Sequence, residues 1–261
     1  MPVKYLLPIA LLALGGCSES TNPVAETEAT GAKMSVYEAA VASSDRTDSD
    51  RERDAGRQPA AVLEFFALEP GMTVLDMFSG GGYYTEMIAF VVGEKGKVVA
   101  HSNQAYAQFV GDEPNVRYAE GRLANVEIMM AENNELELPA NTFDAVMMVL
   151  AYHDIYYTSE ESGWPKIDGP NLLAEFFSGL KSGGILAVVD HYAVAGSPAE
   201  TGGTLHRIDP ELVIAEIQAA GFVLDGKSDV LRNLDDDHSL NMFDEQIRGK
   251  TDRFVMKFRK P

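Results

Sequence analysis

Five short apolar runs, separated by segments long enough to be helices, fill the chain from Thr73 onward and constrain its fold more than any other feature. They are Thr73 to Met77, Lys97 to Ala100, Val126 to Met130, Phe143 to Leu150 and Gly184 to Val189. Continuous rather than alternating apolarity is what a strand needs when helices cover both faces of its sheet. Helical segments fall between the runs, at Tyr83 to Val92, Gln104 to Val110, Pro114 to Leu123 and Pro170 to Leu180. Strands that alternate with helices in this way form a parallel sheet with right-handed crossovers. Asp209-Pro210 then opens a helix that Gly221 ends after Ala220, and Phe222 to Leu224 and Arg253 to Phe258 read as two further strands. The expected fold is α/β, Rossmann-like and doubly wound, a mostly parallel seven-stranded sheet with an antiparallel last strand. With 261 residues, one core is enough, since a single core is practical up to about 250 to 300 residues.

Ahead of this domain the chain changes character. Lys4 precedes an apolar stretch, Tyr5 to Leu14, that is too short to span a bilayer and ends in Leu14-Gly15-Gly16-Cys17. That ending resembles the lipobox of bacterial lipoproteins. The resemblance implies export, cleavage before Cys17 and a lipid on its thiol; Ser18 after it resembles the sorting pattern for the outer membrane. Cys17 is the only cysteine, so no internal disulfide is expected. Residues 1–17 thus read as a signal segment and 18–34, rich in Ser, Thr, Glu, Ala and Pro, as a flexible tether. The domain occupies 35–261. It begins with a short helix over Val36 to Ser43, a charged segment capped by Ser49 or Asp50, and an apolar helix over Ala60 to Ala67, closed by the turn Glu69-Pro70-Gly71. The net charge of −19 excludes nucleic acid as a natural partner, because phosphate backbones are held by Lys and Arg. The partner expected instead is a small molecule.

The most specific stretch runs from Val74 to Thr85: a strand, the acidic Asp76, the turn Ser79-Gly80-Gly81-Gly82, and a helix start. Bare backbone at such a turn lets a ligand reach the free N–H groups of the helix N-terminus, which favour a carboxylate. A dinucleotide-binding Rossmann domain would need G-x-G-x-x-G and an acid after the second strand, and neither is present. The stretch resembles motif I of class I methyltransferases, and its context resembles a family of bacterial methyltransferases of unassigned substrate. Echoes of that family run from Pro70-Gly71-Met72 through Leu205 to Asp209 and on to Arg248 to Phe254. The resemblance implies S-adenosylmethionine as cofactor, with Asp76, Gly80, Gly81 and Gly82 around its methionine part. Two positions depart from the pattern. Phe78 stands where glycine is usual, and its ring and expected ordinary backbone angles alter the pocket. After the second strand His101, Ser102 and Asn103 replace the usual ribose-binding acid; Ser102 and Asn103 keep hydrogen-bonding capacity without the charge. Glu132 and Asn133 match the adenine-contacting region.

In open α/β sheets the ligand lies beyond the carboxyl ends of the strands, so the residues after the fourth and fifth runs are the candidates for chemistry. Methyl transfer is a direct displacement, governed by alignment, and a base helps only an acceptor that carries a proton. His153 is the candidate base, with Asp154 to orient it; both residues would serve equally as loop caps. Tyr152, Tyr156, Tyr157 and His191 are the acceptor-facing candidates, with Tyr83, Tyr84 and Trp164 available to an aromatic wall. His101, His153, His191 and His206, the last in a Gly-rich loop, fall near the same strand ends and with Asp154 and Asp190 offer metal-ligand types, but no short-range zinc-type spacing occurs, so no metal is expected. Tyr156 to Gly169 has the length of a lid. Asp235 to His238 reads as a solvated hairpin loop, and Arg248, Lys250 and Arg253 as supports of the fold. A binding module that keeps the fold without turnover is the competing reading, motivated by Phe78, the missing ribose acid and export.

Overall fold

Seven strands make a single sheet: β1 (Thr73–Met77), β2 (Lys97–Ser102), β3 (Val126–Met130), β4 (Phe143–Val149), β5 (Leu180–His191), β6 (Val223–Ser228) and β7 (Arg253–Arg259). The computed structural model describes residues 1–3 and 33–261. Cys17, the lipobox and nearly all of the expected tether lie outside the described residues. The strand order is β3-β2-β1-β4-β5-β7-β6. The first five strands are parallel, and β7 enters antiparallel between β5 and β6. The expected doubly wound sheet with its antiparallel last strand is the one observed.

The continuous apolar runs of β1, β4 and β5 are explained by burial on two faces, whereas β3, at the edge of the sheet, leaves Ile128 and Met130 half exposed, against the expectation for that run. Leu75, Met77, Val146, Met148 and Val188 point into one core, whereas their neighbours Val74, Ala145, Met147, Ala187 and Val189 point into the other. Nine α-helices are present among the described residues: α1 (Val36–Ala42), α2 (Asp48–Arg57), α3 (Pro59–Phe66), α4 (Tyr83–Val92), α5 (Gln104–Val110), α6 (Glu113–Arg117), α7 (Gly169–Gly179), α8 (Thr201–Leu205) and α9 (Pro210–Ala219). None of them is long and apolar enough to cross a membrane.

Three local expectations are corrected. The cap of α2 is Thr47, whose side chain accepts from the Asp50 amide, and not Ser49 or Asp50. Asp50 is instead buried and pairs with Arg117 at 2.7 Å. The Asp235 to His238 run is not a solvated hairpin loop: Asp236 is buried, pairs with Arg207 at 2.9 Å and accepts from the Asp252 amide at 2.7 Å. Arg207, fully buried, also donates to the carbonyls of Leu240 and Tyr192. This charge network fastens the irregular 229–252 segment to the sheet, which apolar packing alone could not do for so polar a stretch. The Gly-rich segment before His206 is helical, as α8.

Candidate functional site

The glycine turn joins β1 to α4 with backbone angles that restrict its sequence. Gly80 and Gly82 have φ of 59° and 83°, in the left-handed region that glycine adopts without strain. Phe78 shares this region with φ of 55°, so the ordinary angles expected of it are corrected. Helix α4 begins at Gly82 with no side-chain cap, which leaves its first amides for a ligand. Asp76 at the end of β1 is fully enclosed and accepts from the Thr85 hydroxyl at 2.6 Å. Burial, only partly offset by that bond, lifts its carboxyl to about 7. The other side of the turn is protein-packed: a Cβ on Gly81 or Gly82 would strike Glu113, Arg117 or Tyr118. The close approach these two glycines permit is therefore that of α6 and the residue after it, and Arg117 donates to the Gly81 carbonyl.

Beside the turn, the residues at the ends of β2 and β3 bond mainly to each other. Asn103 is buried; its oxygen caps α5 by accepting from the Tyr106 amide at 2.7 Å, and its amide donates to Asn133 at 2.8 Å. Glu132 accepts from the Gln104 amide, and Ser102 donates to the Asn103 carbonyl. The Asn103 side chain thus serves the α5 N-cap. The Phe78 ring stacks on Trp164 with centroids 5.6 Å apart, and Tyr106 stands edge-on to both. Trp164 belongs to the expected lid, which Asn134 ties down by donating to the Lys166 carbonyl and accepting from the Asp168 amide. Trp164 thus packs on Phe78, the residue before the glycine turn.

A histidine cluster stands at the ends of β4 and β5. These parallel neighbours run in register up to Val149 and Val189, so the residues just beyond them meet. Asp190 accepts from the His153 ring Nδ1 at 2.7 Å, from the His153 amide at 2.8 Å and from the His191 amide at 2.7 Å. Asp190 rather than Asp154 orients His153, whose Nε2 is left 3.3 Å from Asp154. His206 arrives from α8, where Gly202 and Gly203 lie so near the carbonyls of His153 and Tyr156 that a Cβ would sit within 2.7 Å of them. Burial opposes charge on His153, but the Asp190 and Asp154 carboxylates outweigh it and raise the ring to about 9. His191 donates or accepts at Thr251 through Nδ1 at 2.6 Å, and burial, with Arg253 nearby, pushes it well below the usual histidine range.

Of the acceptor-facing candidates, Tyr152 donates to Glu216 of α9 at 2.8 Å, and Tyr156 donates to the same carboxylate. Both hydroxyls are therefore taken up by α9. Tyr157 instead touches Trp164 and His206, linking the lid to the histidines. Tyr83 packs under Arg46, Arg53 and Arg57 with its hydroxyl on Asp54. Arg253 is buried and donates to Thr251 and to the Gly56 carbonyl, as a support of the fold.

Two features single out this crevice. Among the described residues, eight buried side-chain polar atoms lack a partner, and seven of them belong to the last residues of β2 to β5 or to the segments that follow those strands: His101 Nδ1, Tyr118 Oη, Asn133 Nδ2, Trp164 Nε1, His153 Nε2, His191 Nε2 and His206 Nδ1. Such atoms are costly unless something satisfies them. Of the seven non-glycine residues with left-handed backbone among the described residues, three, Phe78, Leu150 and His206, lie at this end of the sheet. A hollow of about 890 Å³ lies at the opposite end of the sheet, between α4 and the starts of β2 and β3, and none of the seven atoms lines it.

Residues 33–156, from α1 through the glycine turn and β4 to Tyr156, match the family model described as Protein-L-isoaspartate(D-aspartate) O-methyltransferase (PCMT). A ubiquinone/menaquinone biosynthesis C-methyltransferase from Hydrogenovibrio crunogenus is 30% identical over 130 residues, 49% of this chain and 46% of the relative. The chain thus spans about half the length of the curated relatives it matches. An S-adenosylmethionine-dependent methyltransferase from Aquifex aeolicus superposes with a TM-score of 0.56 at 25% identity, over 82% of this chain and 94% of that one. A [4+2]-cyclase, SpnF, shares the fold with a TM-score of 0.52 at 19% identity, over 84% and 86% of the two chains. The architecture is that of the S-adenosylmethionine-dependent methyltransferases, and these similarities imply S-adenosylmethionine as the cofactor. The residues present fit it: the uncapped α4 N-terminus suits its carboxylate, and the unpartnered polar atoms of Asn133 and Trp164 offer bonds to its polar groups.

Proposed function

We propose that the chain transfers a methyl group from S-adenosylmethionine to a small-molecule acceptor held between the lid and the histidine cluster. The observation that carries this reading is the set of unpartnered buried polar atoms in and after the last residues of β2 to β5, on a fold shared with such enzymes. On this reading the glycine turn and the start of α4 hold the methionine end, Asn133 lies toward the adenine, and Trp164, Tyr157 and His206 enclose the acceptor. His153, fixed by Asp190, faces the reacting atom and acts as the base in its neutral form, with Asp154 beside its Nε2. The supply of aligned contacts, rather than acid–base strength, provides most of the acceleration of such a displacement. The net charge of −19 favours a neutral or cationic acceptor over a polyanion.

The lipobox supports a lipid-anchored form at Cys17, exported to the periplasm and held at the outer membrane. A second reading, a ligand-binding lipoprotein without turnover, draws on the stacked Phe78 and Trp164 beside the glycine turn; the cyclase with the same fold shows that the architecture alone does not dictate methyl transfer. A screen of small-molecule acceptors for release of S-adenosylhomocysteine separates the two. Turnover that disappears in His153→Ala while the cofactor still binds is expected. Cofactor binding with no turnover on any acceptor class would favour the second reading. Radiolabelled palmitate entering the wild type but not Cys17→Ser tests the anchor.

A further inference from the structure

The histidine cluster contains a donor set that methyl transfer by itself does not explain. One ligand atom from each of His153, Asp154 and His206 lies within 4.8 Å of the other two. Asp154 Oδ1 is 3.3 Å from His153 Nε2 and 3.5 Å from His206 Nδ1. Two ligands on one tetrahedral zinc-like ion, at about 2.0 to 2.2 Å each, stand about 3.3 to 3.5 Å apart, and both contacts of Asp154 Oδ1 match that spacing. The two imidazoles meet edge to face, with centroids 5.2 Å apart and planes at 88°. Neither ligating nitrogen has a hydrogen-bond partner, although both are buried.

We propose that these three atoms bind a divalent transition-metal ion of the zinc, iron(II) or cobalt(II) class. Two imidazoles and one carboxylate suit ions of intermediate softness, and the scarcity of oxygen donors disfavours magnesium and calcium. The surroundings supply what such a site requires. Buried Asp190 holds His153 Nδ1, so that Nε2 is the free nitrogen and the ring cannot turn, the carboxylate–histidine arrangement that orients metal ligands. Close packing of Gly202 and Gly203 on the backbone of residues 153–156 brings His206 into place, and His206 holds a left-handed φ of 51°. Three protein ligands leave a tetrahedral ion one coordination position for a small molecule. Sequence spacing hid this set because its members come from two elements separated by β5 and the following loop. The site stands on its own side chains and does not depend on methyl transfer.

The test is titration of the full, untagged chain with Co²⁺, followed by visible d–d absorption and by calorimetry, alongside a separate S-adenosylmethionine titration. One saturable Co²⁺ per chain is expected, displaced by Zn²⁺. Affinity should fall at least about 100-fold in His206→Gln and in Asp154→Asn, and about 10- to 100-fold in Asp190→Asn, each variant being checked for native circular dichroism. Absence of a saturable cobalt signal in the wild type overturns the proposal whatever the variants do, and so does unchanged affinity in either first-named variant. Because the cofactor is titrated separately, failure here leaves the methyltransferase reading standing, and loss of cofactor binding leaves the metal site standing.

Discussion

The two ends of the crevice are built by different means. At the β1 end the shape is written in the backbone, through left-handed glycines, a left-handed Phe78 and an uncapped helix. At the β4 and β5 end the backbone is ordinary apart from Leu150 and His206, and the arrangement rests on buried side chains, with one carboxylate accepting three bonds. The comparison teaches that a site's cofactor end can be fixed by local conformation while its acceptor end depends on tertiary contacts. The two ends should accordingly fail in different ways.

The largest effect is expected at the side-chain end. Asp190→Ala leaves three buried donors without an acceptor, each worth about 1 to 3 kcal/mol, so urea denaturation should show a loss of about 5 kcal/mol. S-adenosylmethionine affinity should be unchanged if the ends are independent, and a parallel collapse of cofactor binding would merge them.

At the backbone end, Asp76 links stability to pH. Its carboxyl is raised from 3.8 to about 7 in the fold, so the folded state holds the proton more tightly than the unfolded chain does. The resulting stabilisation is complete below the unfolded value, is lost as pH rises through the folded one, and at about 1.4 kcal/mol per unit amounts to about 4 kcal/mol. Unfolding free energy measured from pH 4 to 8 should therefore decline more steeply in the wild type than in Asp76→Asn; identical slopes would show that Asp76 is not buried as described.

Gly82→Val adds backbone strain at φ of 83° and a contact with Tyr118 and Arg117. It should cost about 3 kcal/mol of stability and abolish cofactor binding. The smallest effect is reserved for Asn103→Ala, which removes the α5 cap for a loss of about 1 kcal/mol and leaves cofactor affinity alone. A large fall in affinity at unchanged stability would instead give Asn103 to the ribose.

The same contrast explains what could be read from the residues. β1, β3 and α4 begin and end where apolar runs and glycines predict, because runs of apolar residues and left-handed turns leave local marks. The partnership of Asp190 with His153 left none, since it depends on which strands are neighbours and on their register. Asp236 looked solvated for the same reason: its partner Arg207 is far away in sequence. Phe78 misled in the other direction, because residue type predicts ordinary backbone angles and tertiary packing against Trp164 overrode that preference.

The most direct test of the account is calorimetric titration of the full chain with S-adenosylmethionine, side by side with Gly80→Val. One molecule should bind per wild-type chain, with no heat from the variant. No heat from the wild type at millimolar ligand, or equal affinity in both proteins, would contradict the assignment of the glycine turn to the cofactor.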